Sequence, residues 1–315
     1  MDTPDPAEPV VFSIPLRTRF RGIDVREGAL FRGPAGWAEF SPFLEYPPAV
    51  ARRWLASARE AAGEGWPAPV RHSVPVNVTV PAVGPAHAIE MVRGSGGCRT
   101  AKVKVAEKGQ DLAADLDRVE AVRDALGPAG RVRIDANGAW SVDEAARAIA
   151  ALDRFDLEYV EQPCATLEEM AELRRRVEVP LAADESVRTA QDPLRVAGLG
   201  AADIVVLKVQ PLGGVRPALR VAEAAGLPVV VSSALETSIG IAAGLALAAA
   251  LPELPYACGL ATVALLTDDV VGDSLMPVNG ELPVRRPVPD PAALHRLAAA
   301  PDRALWWRER LAASQ

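Results

Sequence analysis

The chain is poor in the residues from which many functional sites are built. Its three cysteines, Cys98, Cys164 and Cys258, lie far apart, are odd in number and show no Cys-x-x-Cys spacing. That excludes a disulfide framework and a zinc cluster, and it predicts a reducing, cytoplasmic setting. The three histidines are equally scattered, so no histidine-based metal site is expected. A membrane-spanning run is also missing. The longest apolar-plus-glycine stretch, Ile239 to Leu251, is closed by Pro252 and falls short of the roughly 20 residues a bilayer needs; it reads as a buried helix. There is no basic block either: 34 Lys and Arg against 41 Asp and Glu give a net charge of −7, which disfavours nucleic acid and anionic membranes as partners. Met1-Asp2-Thr3-Pro4-Asp5-Pro6 has neither a basic nor an apolar signal region, so no secretory signal is expected. No nucleophile elbow, phosphate loop or dinucleotide fingerprint occurs. Gly94-Ser95-Gly96-Gly97 lacks the spacing and reads as a turn.

What is present is a full apolar core. Half of the 315 residues are hydrophobic and 24% are charged, a soluble globular composition. The length suits one large α/β barrel with a modest extra domain. Val10–Arg17 and Ala29–Phe31 read as short strands, Arg19–Asp24 between them as a surface loop, and Ala49–Leu55 opens an amphipathic helix ending at Gly63. Strands followed by a helix predict an α+β cap over residues 1–72. From about Ser73 short Val/Ile/Leu-rich runs alternate with helical stretches. The strands are Pro75–Val80, Ala101–Val105, Val132–Asp135, Glu158–Glu161, Leu181–Asp184, Ile204–Lys208, Val229–Ser232 and Tyr256–Cys258. Runs that are apolar on successive positions are buried on both faces, as parallel strands are. Eight βα units predict a TIM-type barrel over residues 73–274. Residues 275–315 leave that rhythm, and a helical tail, Pro291–Leu311, would carry Trp306 and Trp307 back to the cap.

The informative residues are charges at the ends of these strands. Asp135, Glu161 and Asp184 close three consecutive strands, each about one βα unit after the last, so they converge on the rim where such barrels keep their active sites. A lone Asp after a strand is ordinarily a cap or turn residue. Three in register would repel one another without a cation, and an all-oxygen ligand set selects magnesium or manganese. Lys102 and Lys104 share one face of their strand, and Lys208 ends the strand after Asp184. A Lys-x-Lys pair is often a solvated edge, but lysines pointing into a barrel need counter-charges or a task. Two neighbouring ammonium groups also depress each other's proton affinity, towards the range of a general base. A metal beside lysines suits removal of a proton α to a carboxylate, with the cation stabilising the enediolate.

Lys102-Val103-Lys104, Asp135-Ala136-Asn137, Glu161-Gln162-Pro163, Asp184-Glu185-Ser186 and Lys208 together resemble the enolase superfamily, which pairs a lysine base with magnesium, and within it the muconate-lactonizing-type subgroup. The resemblance covers nearly the whole chain. Arg19-Phe20-Arg21-Gly22, Gly36–Phe43, Val76–Ala82 and Ser232–Ser238 are similar to the branch that makes o-succinylbenzoate, with Gly-Trp-Ala-Glu here in place of Gly-Trp-Gly-Glu. The resemblance implies a carbon–oxygen lyase of menaquinone biosynthesis that converts 2-succinyl-6-hydroxy-2,4-cyclohexadiene-1-carboxylate to o-succinylbenzoate. It implies Mg2+, with Mn2+ as a substitute, on Asp135, Glu161 and Asp184. Lys104 would be the base and then the acid for hydroxide loss, and Lys208 the opposing cation. Lys102, Asn137, Ser232 and Gly259 would contact substrate, and the 19–24 loop would close over it. The partner is a small carboxylate and the enzyme a monomer. An N-succinylamino acid racemase, or an enzyme doing both reactions, is an alternative. A silent binding barrel is another, though none of the five charged groups is replaced. An epimerase with Asp-x-Asp at the eighth strand is disfavoured by Tyr256-Ala257-Cys258-Gly259.

Overall fold

A hairpin begins the described chain, which in this computed structural model comprises residues 8–189 and 194–315; the acidic 1–6 stretch lies outside the described residues. Strands β1 (Val10–Phe20) and β2 (Ile23–Gly33) are joined through Arg21 and Gly22, with φ of 51° and 77°. Positive φ at both central residues matches the right-handed twist of an antiparallel ribbon. The expected loop at Arg19–Asp24 is therefore the tip of a hairpin. Its residues can be polar because Pro15 to Val25 are all exposed or half-buried. Strand β3 (Gly36–Phe40) adds to β2, and helix α1 (Pro48–Gly63) buries Trp54, Leu55 and Ala58 against this sheet.

The remaining strands are β4 (Ser73–Pro75), β5 (Val78–Val80), β6 (Thr100–Lys104), β7 (Arg131–Asp135), β8 (Leu157–Glu161), β9 (Leu181–Ala183), β10 (Ile204–Lys208), β11 (Val229–Ser232) and β12 (Glu281–Pro283). Strands β5 to β11 form one parallel sheet in sequence order. Helices Leu112–Leu126, Val142–Leu152, Leu167–Arg174 and Val215–Ala225 lie between them. Two of these helices start at reciprocal caps, Ser141 with Glu144 and Thr166 with Glu169, which satisfy orphan N–H groups at each start. Helix Ser238–Ala250 is buried on all sides, as its uninterrupted apolar sequence requires. Among the described residues no helix is long and apolar enough to cross a membrane.

The sheet curls until its edges meet through single bridges, Val76 to Cys258 and Ser232 to Gly259. The amide of Asn77 donates to Cys258 O at 2.9 Å, and that of Gly259 to Val231 O at 2.8 Å. Three expectations need correcting here. Tyr256–Cys258 is not a full strand: Pro255 withholds a donor just before it, and Gly259 is pressed so close that a Cβ would sit 2.6 Å from Ser232 Oγ. Pro75–Val80 divides in two, since β4 pairs antiparallel with β12 and only β5 enters the barrel. The C-terminal tail is likewise two helices, Pro291–Arg296 and Pro301–Ala313. Pro301 cannot continue a helix from the preceding turn but is favourable in the first turn of a new one. Trp307 returns to the cap as expected and packs edge-on to Phe40.

Candidate active site

Parallel register sets the site. Lys104, Asp135 and Glu161 are Cα neighbours across β6, β7 and β8, and the row beneath runs Thr79, Lys102, Arg133 and Tyr159. Side chains two apart on a strand share a face, so both rows point into the barrel. Asp184 follows β9 directly, and Lys208 ends β10. Asp135, Glu161 and Asp184 are each 0% exposed.

The structure brings all six predicted charges together. Lys102 Nζ bridges Glu161 Oε1 at 2.6 Å and Asp135 Oδ2 at 3.2 Å. Lys104 Nζ pairs with Asp135 Oδ2 and donates to Asn137 Oδ1 at 2.7 Å. Lys208 Nζ pairs with Asp184 Oδ2 at 2.6 Å. Burial opposes ionisation of Asp135, but the charges of Lys104 and Lys102 outweigh it and hold the carboxyl well below its usual range. Burial and the Asp135 charge push Glu161 up to about 7, against the pull of Lys102. Lys102, one of the two neighbouring ammonium groups, is not driven toward the range of a general base. Burial alone would lower it, yet Glu161 and Asp135 together raise it, because attraction to two buried carboxylates exceeds the cost of desolvating the ammonium.

Turn geometry after the strands fixes these groups. Asn137 and Gln162 have φ of 48° and 39°. The Asn137 amide donates to Asp135 Oδ1 at 3.0 Å. Gln162 Oε1 accepts the Asp184 amide at 2.9 Å and the Ser186 amide at 3.2 Å, so one side chain ties the end of β8 to the end of β9.

At this rim lies a narrow cavity lined by Lys102, Lys104, Lys208, Asn137 and Ser232 and roofed by Phe20, Arg21 and Phe43 of the cap. Gly259 does not line it; its place is behind Ser232. Thr79 and Thr262 line the cavity as well and were not singled out from sequence. Thr79, a hydroxyl between two valines, carried a readable signal, whereas Phe20, Arg21 and Phe43 of the cap lie in segments marked only by the family resemblance.

Among the described residues, no three acidic, histidine or cysteine side chains already stand around one point as a metal-holding group. The carboxylates are turned instead to the lysines. They nevertheless fit a hard divalent cation: all donors are oxygens on adjacent strand ends, and Glu161 Oε2 is buried with no hydrogen-bond partner. Such an atom has a strong demand for positive charge.

A family model described as enolase C-terminal domain-like matches residues 86–290, and one described as enolase N-terminal domain-like matches residues 11–62. An o-succinylbenzoate synthase of Thermobifida fusca is 68% identical over 96% of this chain and 95% of its own length. The chain belongs to the o-succinylbenzoate synthase family of the enolase superfamily. A second member, from Mycobacterium marinum, is 58% identical over 96% of this chain and 92% of its own length. Muconate lactonizing enzyme of Pseudomonas fluorescens shares the fold, with a TM-score of 0.81 at 23% identity over 93% of this chain and 98% of that one. Members of this family are enzymes, and superfamily membership implies dependence on a divalent metal.

Proposed function

We propose that the chain catalyses syn dehydration of 2-succinyl-6-hydroxy-2,4-cyclohexadiene-1-carboxylate to o-succinylbenzoate, as a step of menaquinone biosynthesis. The observation that carries this reading is a cavity with Lys104 and Lys208 on walls separated by three strands, their ammonium groups held by two of three buried carboxylates. Asp135, Glu161 and Asp184 would hold Mg2+, or Mn2+ in its place, and the bound cation supplies positive charge to the substrate carboxylate as the enediolate forms. Lys104 removes the proton α to that carboxylate. The same ammonium then gives that proton to the departing hydroxyl on that face, so water leaves and the lysine ends neutral, as it began. Lys208 faces the delocalised ring as a fixed cation. Lys102 contacts the ring carboxylate, Asn137 orients Lys104, and Ser232, backed by Gly259, meets the succinyl tail. Water exclusion falls to the Phe20–Arg21 tip and Phe43.

In this reading the enzyme is a cytoplasmic monomer without nucleic-acid partners, and its cap comprises residues 1–72 with 275–315, around a barrel of residues 73–274. Lysines on both walls also suit racemisation of N-succinylamino acids, which is the second reading. The test is o-succinylbenzoate formation with Mg2+ or with EDTA, by wild type and Lys104→Ala. Metal-dependent turnover that the substitution abolishes is the expected result. A wild type with no turnover overturns the dehydration reading and makes N-succinylamino acids the next substrates.

A further inference from the structure

The strand that carries Lys104 ends in an outlier. Ala106, two residues beyond Lys104, has φ of 59°, a conformation that non-glycine residues hold only when their surroundings impose it. The imposing groups lie on helix Leu112–Leu126. Asp115 Oδ2 accepts the Ala106 amide at 2.9 Å. Arg118, one helical turn on, donates through Nη1 to the Lys104 carbonyl at 2.8 Å and to Asp115 Oδ1 at 2.8 Å. Its Nε donates to Val83 O at 2.7 Å, after β5, and its Nη2 to Gln110 Oε1. Asp115 and Arg118 are 2% and 1% exposed. A buried ion pair is at best weakly stabilising compared with apolar residues of similar volume. Here the pair grips the two backbone groups flanking Val105, just past the end of β6: the carbonyl of Lys104 and the amide of Ala106.

We infer that Asp115 and Arg118 are positioning residues that aim Lys104, by clamping the backbone on either side of Val105, immediately past its strand end. The pair does not line the cavity and reaches Lys104 through the backbone at the end of β6. This rests on Lys104 being the base, as proposed above. A base displaced by about 1 Å loses on the order of 100-fold in rate while ground-state binding is little changed, so the clamp should be read in kcat and not in KM.

The variants are Arg118→Lys, which keeps the charge but cannot serve several carbonyls at once, and the double variant Asp115→Leu/Arg118→Met, which leaves no unpaired buried charge. Each is compared with wild type, with Mg2+ present, using the cyclohexadiene substrate carrying hydrogen or deuterium at the abstracted position. The expected result is folded variants whose kcat falls at least about tenfold, with KM within about threefold, and whose isotope effect on kcat rises because proton abstraction has become slower. Amide exchange at Ala106 accelerates in both, without change in β7 or β8. Folded variants with wild-type kcat and isotope effect overturn the inference. Unfolding of both variants overturns it too, since the pair would then hold the fold and not the strand end. If wild type has no turnover, the functional reading fails separately, and Ala106 exchange alone decides: acceleration supports the clamp and wild-type exchange overturns it.

Discussion

Asp135 and Glu161 sit side by side on β7 and β8 yet are driven in opposite directions, because Asp135 faces two ammonium groups and Glu161 faces one beside a carboxylate. The same imbalance leaves Glu161 Oε2 without a donor. A divalent ion bound there would act on the folded state only, and saturation at about 100 times Kd adds about 2.7 kcal/mol to stability. Thermal unfolding with Mg2+ against EDTA should therefore show a metal-dependent rise in Tm. Asp184→Asn should remove most of that rise while the protein stays folded in EDTA. An equal Mg2+ shift in both proteins would count against Asp184 as a ligand.

Between elements, the cap and barrel are joined by charges placed at helix starts. Glu60 of α1 accepts the amides of Val215 and Arg216, the latter at 3.0 Å, capping helix Val215–Ala225 from another element. Gly214 permits this: a Cβ there would meet Glu60 Oε2 at 2.3 Å. Replacing a capping side chain costs about 1 kcal/mol, and Glu60→Ala should lower the urea midpoint accordingly with turnover largely kept. Glu39 of β3 does the same for helix Ser238–Ala250, accepting the amides of Thr237 and Gly240 at 3.1 Å each. Burial and the neighbouring charge of Glu236 push Glu39 up to about 7.

For the whole molecule, the C-terminal tail is the clasp. Glu27 accepts from Arg303 and, at 3.2 Å, from Trp307 Nε1. Burial would raise the Glu27 pKa, but these donors outweigh it and hold it below the ordinary 4.5. A depressed carboxylate contributes fully above its unfolded value and loses that contribution as pH falls through the folded one. The Tm difference between wild type and Glu27→Gln should thus be constant above pH 5 and shrink below about pH 4. Trp307 is 0% exposed, and Trp307→Ala should cost about 3–5 kcal/mol, seen as a large drop in the denaturation midpoint. An unchanged midpoint would mean that the tail is not part of the cooperative unit.

Sequence alone determined the parallel strands, since runs such as Ile204-Val205-Val206-Leu207 can only be buried on both faces, and it determined the helices whose caps and periodicity are local. It also placed Asp135, Glu161, Asp184 and the three lysines on one rim, because strand direction and a two-residue period decide where a side chain points. Only the tertiary structure decided how the barrel closes, through bridges at Cys258 and Gly259 that no local pattern marks. It alone decided that Arg19–Asp24 is the tip of a hairpin, and that two buried carboxylates raise Lys102. Each of these depends on groups far apart in the chain, whose distances and burial exist only once the chain has folded.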